Sequence, residues 1–124
     1  MSYSFDTIYA SMASMVTASS GSTNVVLSDR VSWYQVNAAV DTTINISTAS
    51  LSSMPTNPVI MFYLKLDIPT PVTSVSWPSS VSWLNGFTPV MNAGGRSYIL
   101  LFSSFDSGTT WVGSKVGSFA TPSP

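Results

Sequence analysis

Short runs of β-branched and aromatic residues, cut by Gly, Pro and Asp about every 8 to 12 positions, restrict this chain to an all-β architecture. The runs span Asn24 to Ser28, Val31 to Asn37, Thr42 to Ser47, Val59 to Asp67, Val72 to Trp77, Ser97 to Phe105 and Thr109 to Val116. Within them apolar and polar residues alternate, as in a strand with one buried face: Ile44 and Ile46 share one side, Thr43 and Asn45 the other. The run Ile60-Met61-Phe62-Tyr63-Leu64 is apolar throughout and predicts a central strand covered on both faces. Asp106-Ser107-Gly108 predicts a tight hairpin, with Gly where φ must be positive. The expected fold is an antiparallel, jelly-roll-like β-sandwich over residues 23–119 with a flexible tail at 120–124.

A different period precedes it. Phe5, Ile8, Tyr9, Met12, Met15 and Val16 recur at three- and four-residue spacing, which predicts a short N-terminal helix or arm over residues 1–22 with one apolar face. That face suits packing on the chain's own domain and equally an anchor inserted into a neighbouring subunit. The chain has neither a basic leader followed by an apolar core nor an apolar run approaching about 18 residues. Synthesis in the cytoplasm, without membrane insertion, is the expectation.

An ordinary domain of this length would coat its strands with charge, yet only 7% of the 124 residues are charged, against about 25% in an average soluble protein. Charge keeps apolar patches of different molecules apart, so its scarcity predicts life within a homo-oligomer or larger assembly. A Ser/Thr-coated monomeric β-domain is the plainer alternative. Arg30, Lys65, Arg96 and Lys115 are scattered, which gives phosphates no basic patch and argues against nucleic-acid binding.

His, Cys and Glu are absent altogether. General acid–base and nucleophilic catalysis draw on those groups, and zinc sites on His and Cys, so the expectation is a non-enzymatic chain with no metal or cofactor. Asp6, Asp29, Asp41, Asp67 and Asp106 are dispersed; Asp29, Asp67 and Asp106 fall at predicted strand ends, where Asp serves turns. Of the four tryptophans, Trp77 and Trp111 alternate with small polar neighbours and are expected inward. Trp83, next to Leu84 and the Asn85-Gly86 turn, is expected outside. With Phe87 and Tyr98 it forms the candidate recognition surface, since exposed aromatic rings stack on sugars.

The segment Ser76-Trp77-Pro78-Ser79-Ser80-Val81-Ser82-Trp83-Leu84-Asn85-Gly86-Phe87-Thr88-Pro89 resembles a motif of phage tail-fibre and other virion structural proteins: a Trp-Pro pair, then a Val, a second Trp, a Gly and a Pro. Asp106-Ser107-Gly108-Thr109-Thr110-Trp111-Val112-Gly113 is similar to its downstream partner. The sequence departs from the pattern at Leu84, where Pro is common, at Val112, where an aromatic is common, and at Ser107, where a second Gly is common. The resemblance implies a structural component of a tailed-bacteriophage particle, assembled in the host bacterial cytoplasm. A capsid decoration, head-fibre, tail or baseplate position would each suit it. It further implies an oligomer, often a homotrimer, docked on other virion proteins, with no catalytic residue. Recognition of a host glycan through Trp83, Phe87 or Tyr98 is the alternative.

Overall fold

Alternating strands with one buried face can be joined in more than one way, and this chain winds them between two sheets. The computed structural model describes residues 12–52, 59–70, 74–91 and 93–120. Strands β1 (Val16–Thr17), β3 (Trp33–Asn37) and β5 (Ile60–Ile68) are neighbours in a six-stranded sheet, while β2 (Gly21–Val26), β4 (Thr42–Ser47) and β6 (Val75–Ser76) form a three-stranded one. The first six strands therefore alternate sheets in chain order, and all their lateral pairings are parallel. Val16 lies opposite Val36, and Val36 opposite Leu66, so each coil stacks on the last. The chain then stays in the larger sheet with β7 (Val81–Trp83), β8 (Arg96–Ser104) and β9 (Trp111–Ala120), giving the order β1-β3-β5-β8-β9-β7.

The expected antiparallel arrangement holds only for β5–β8 and β8–β9; β7 runs parallel to β9, and the smaller sheet is parallel throughout. The cause lies in the connections. Parallel neighbours require a crossover: among β1 to β6 a strand in the opposite sheet supplies it, whereas β7 reaches β9 through β8 of their own sheet. Among the described strands only β8 and β9 are joined by a hairpin, at 105–110. There Ser107 and Gly108 take positive φ, and Asp106 accepts hydrogen bonds from the Thr110 hydroxyl (2.6 Å), the Thr110 N–H (2.9 Å) and the Ser104 hydroxyl (2.9 Å).

The inward side chains of both sheets meet in one core. Val25, Leu27 and Ile44 come from the smaller sheet and its continuation; Tyr34, Val36, Leu64, Leu66, Leu100 and Phe102 come from the larger. Each such burial removes enough apolar surface from water to contribute about 1.5–3 kcal/mol. Phe62 organises the centre, stacked on Phe102 (centroids 5.2 Å apart) and meeting Tyr34 and Trp111 edge-on.

Two further expectations are corrected. Residues 12–17 are extended rather than helical: Met12 bridges Trp33, and the Ala13 N–H donates to the Trp33 carbonyl at 2.9 Å. The unpaired edge of β3 offers this segment backbone partners, and that ladder outweighs the three- and four-residue spacing. Phe5, Ile8 and Tyr9 lie outside the described residues. Nor is β5 covered on both faces: Phe62, Leu64, Leu66 and Ile68 are buried, but Tyr63 and Lys65 are half-buried and Met61 is 56% exposed.

Candidate functional site

Carboxylates are the chain's main acid–base groups, and among the described residues neighbouring donors hold them. Asp29 accepts from the Ser52 hydroxyl and the Ser52 N–H, which, helped by nearby Arg30, hold its carboxyl below the ordinary value of 3.8. Asp106 is lowered in the same way, first by the Thr110 hydroxyl and then by the Thr110 N–H. Asp41 accepts from the Ser74 N–H at 3.2 Å. Asp67 is not the turn residue its predicted position implied. Because β5 continues to Ile68, Asp67 sits inside the strand, buried, with Ser97 Oγ and Gln35 Nε2 each donating to it at 2.5 Å and Lys65 Nζ 3.2 Å away. Asp6 lies outside the described residues. Among the described residues no three acidic, His or Cys side chains gather as a metal would require.

The three aromatic residues of the expected recognition surface divide. Trp83 is only 9% exposed, which overturns the expectation of an outer tryptophan. The residue ends β7 pointing inward and packs edge-on against Trp77 (5.3 Å) and Phe102 (5.6 Å). Tyr98 is also buried, at 4% exposure, because its β8 position alternates with Ser97 and faces the core. Its hydroxyl accepts from the Ala93 N–H at 3.3 Å, and the Lys115 ammonium lies 5.8 Å from its ring centroid. Phe87 alone is outside, at 78% exposure. The physical origin is the 3-10 turn at Leu84–Gly86, where Asn85 and Gly86 both take positive φ and the chain turns away from the sheet. Trp111 is buried and Trp77 half-buried, as their alternation implied.

Trp83 and Phe87 nevertheless line one pocket of about 350 Å³, completed by Leu84, Asn85, Pro89, Ser114 and Lys115. A lining that combines apolar side chains with an amide, a hydroxyl and an ammonium can hold a small polar ligand with one apolar face.

A second feature escaped sequence reasoning. At the first coil the two sheets end side by side in β1 and β2, and an apolar groove of about 230 Å³ runs between them, lined by Ala13, Val16, Val25, Val26 and Tyr34. Met12 and Met15, both expected at an interface, are each about half exposed on this segment. The outward face of the larger sheet also carries apolar side chains: Trp33 stacks on Tyr63 (4.4 Å, 13°), and Met61, Val112 and Phe119 are exposed. Alternation foretold that β2 has one exposed side; nothing in it foretold that β2 would be a sheet edge.

No family model, curated protein or solved structure matches this chain.

Proposed function

We propose that this protein is a non-enzymatic structural component of a tailed-bacteriophage particle, in a capsid-decoration, head-fibre, tail or baseplate position. It is a β-sandwich module that associates with copies of itself and docks onto neighbouring virion proteins. The observation that carries the reading is the exposed apolar surface of a chain with few charges: the groove and methionines of the first coil, and Met61, Val112 and Phe119 on the larger sheet, where the Lys65–Asp67 pair adjoins Phe119. In a monomer, exposed apolar surface with little charge to keep molecules apart promotes association, and an obligate interface is the usual means of covering it. The motif resemblance at Trp77–Pro89 and Asp106–Gly113 supplies the phage context and the homotrimer as one form of the oligomer. Sedimentation velocity of the purified chain is expected to show a concentration-dependent oligomer, and immunogold labelling to place it on intact particles. A monomer at every concentration, absent from particles, refutes the reading.

The pocket beside Phe87 favours one alternative, a module recognising a host glycan, because an exposed ring next to amide, hydroxyl and ammonium groups suits a sugar. Glycan-array binding abolished by Phe87→Ala would establish it. Absence of binding across the array would remove it.

A further inference from the structure

Among the described residues one edge of β2 is unpaired, and what it accepts follows from its backbone. The Leu27 N–H donates to the Ser47 carbonyl at 2.9 Å, which fixes the direction of every backbone group along the strand. In a strand a residue's N–H and C=O point the same way and successive residues alternate. Gly21, Thr23 and Val25 therefore face β4, while Ser22, Asn24 and Val26 turn their N–H and C=O groups to the open side. Among the described residues no strand lies there. Edges left free in monomers are normally protected by Lys, Pro, a bulge or an inward charge. The β2 sequence Gly-Ser-Thr-Asn-Val-Val contains none of these, and its pairing with β4 runs without a register shift.

We infer that a second copy of this chain pairs with β2 along this edge, antiparallel about a twofold axis at Asn24, joining two three-stranded sheets into one of six strands. The inference rests on the self-association proposed above and names its surface. Asn24 of one copy faces Asn24 of the other, and Ser22 faces Val26, forming about six backbone hydrogen bonds. In this register the inward residues Thr23 and Val25 of each copy stay on the same side of the joined sheet.

Two observations select a second copy as the occupant. A twofold axis brings every charge near it against its own kind, and residues 12–28 contain no ionisable side chain, so the surface opposes itself without repulsion. Length decides against head-to-tail stacking: the opposite ends of the two sheets are β6, with two residues, and β7, with three, whereas β2 has six. The edge that matches β2 is β2 itself. The apolar groove beside it, lined in part by Val25 and Val26, is narrowed by the same approach.

Asn24→Pro tests the pairing with little cost to the fold, because the N–H it removes faces the open side and not β4. Sedimentation of the full chain is expected to show at least a tenfold weaker association for N24P and V26K, with near-ultraviolet circular dichroism unchanged. V116K, a charge placed on the exposed bulge residue of β9, is expected to associate like the wild type. The chain has no cysteine, so N24C introduces a lone thiol, which is expected to yield a disulfide-linked dimer on mild oxidation. If an oligomer forms but N24P leaves it intact and N24C does not cross-link, the β2 pairing is overturned while self-association stands. If the wild-type chain is monomeric throughout, because a segment of the same chain covers the edge or nothing does, both fail.

Discussion

Gly113 sits where the aromatic core closes, and adding one methyl group there tests whether that core is as tightly packed as its geometry implies. A Cβ on Gly113 would lie 2.8 Å from Trp83 Cζ3, 2.9 Å from Phe102 Cε1 and 3.0 Å from Trp83 Cε3, against 3.4–4 Å for ordinary contact. The rings would have to retreat by about half an ångström. Neither is free to do so: Trp83 is backed by Trp77, and Phe102 by Phe62. Overpacking of this kind costs about 1–3 kcal/mol, offset by about 0.4–1 kcal/mol from the reduced freedom of the unfolded chain. The net for Gly113→Ala is a loss of about 1–2 kcal/mol, or a melting temperature lower by about 4–8 °C for a chain of this size. Gly117 lies in the same strand with nothing within 4 Å of its Cβ position, so Gly117→Ala is the matched control, expected within about 0.5 kcal/mol of wild type. Thermal unfolding followed by tryptophan fluorescence, at one protein concentration because association shifts the midpoint, measures both. A Gly113→Ala variant melting with the wild type, or a control that loses as much, would refute the packing argument.

Asp67→Ala removes the acceptor of buried Ser97 and of Gln35, and is expected to cost about 3 kcal/mol in urea denaturation. Lys65→Ala, which removes only a half-buried charge, is expected to cost under about 1 kcal/mol; since Asp67→Ala removes the ion pair too, equal losses would show that the ion pair, not the hydrogen bonds, matters. Asp106 has its folded-state carboxyl below the ordinary value of 3.8, so its contribution is fully present above that value and disappears as pH falls through the lower folded value. Stability curves from about pH 5 to pH 2 are therefore expected to fall less steeply for Asp106→Asn than for the wild type, and parallel curves would count against the Thr110 contacts as the cause.

Much of the secondary structure was legible because strand formation here depends on local pattern. Thr42–Ser47 was read residue for residue, and Ile60–Ile68, Arg96–Ser104 and Trp33–Asn37 to within one or two positions, since β-branched alternation and turn residues act over a few neighbours. The hairpin at Asp106 was legible for the same reason: Gly108 takes the positive φ and the Asp carboxylate binds a donor four residues on. The candidate sites were less legible. Phe87 is exposed, but Trp83, four residues earlier and equally aromatic, turns inward because β7 pairs with β9 and directs its side chain at Phe102.

The sequence by itself determined that the chain is made of strands, which side of each strand is apolar, and that groups suited to proton transfer are scarce. Only the tertiary structure decided that the strands coil between two sheets with parallel neighbours, that Asp67 is buried beside Ser97, and that β2 ends a sheet. The physical reason is that alternation specifies a face but not a neighbour: parallel and antiparallel ladders bury the same residues. Which strands adjoin, and which edge stays open, depends on contacts between residues far apart in the chain.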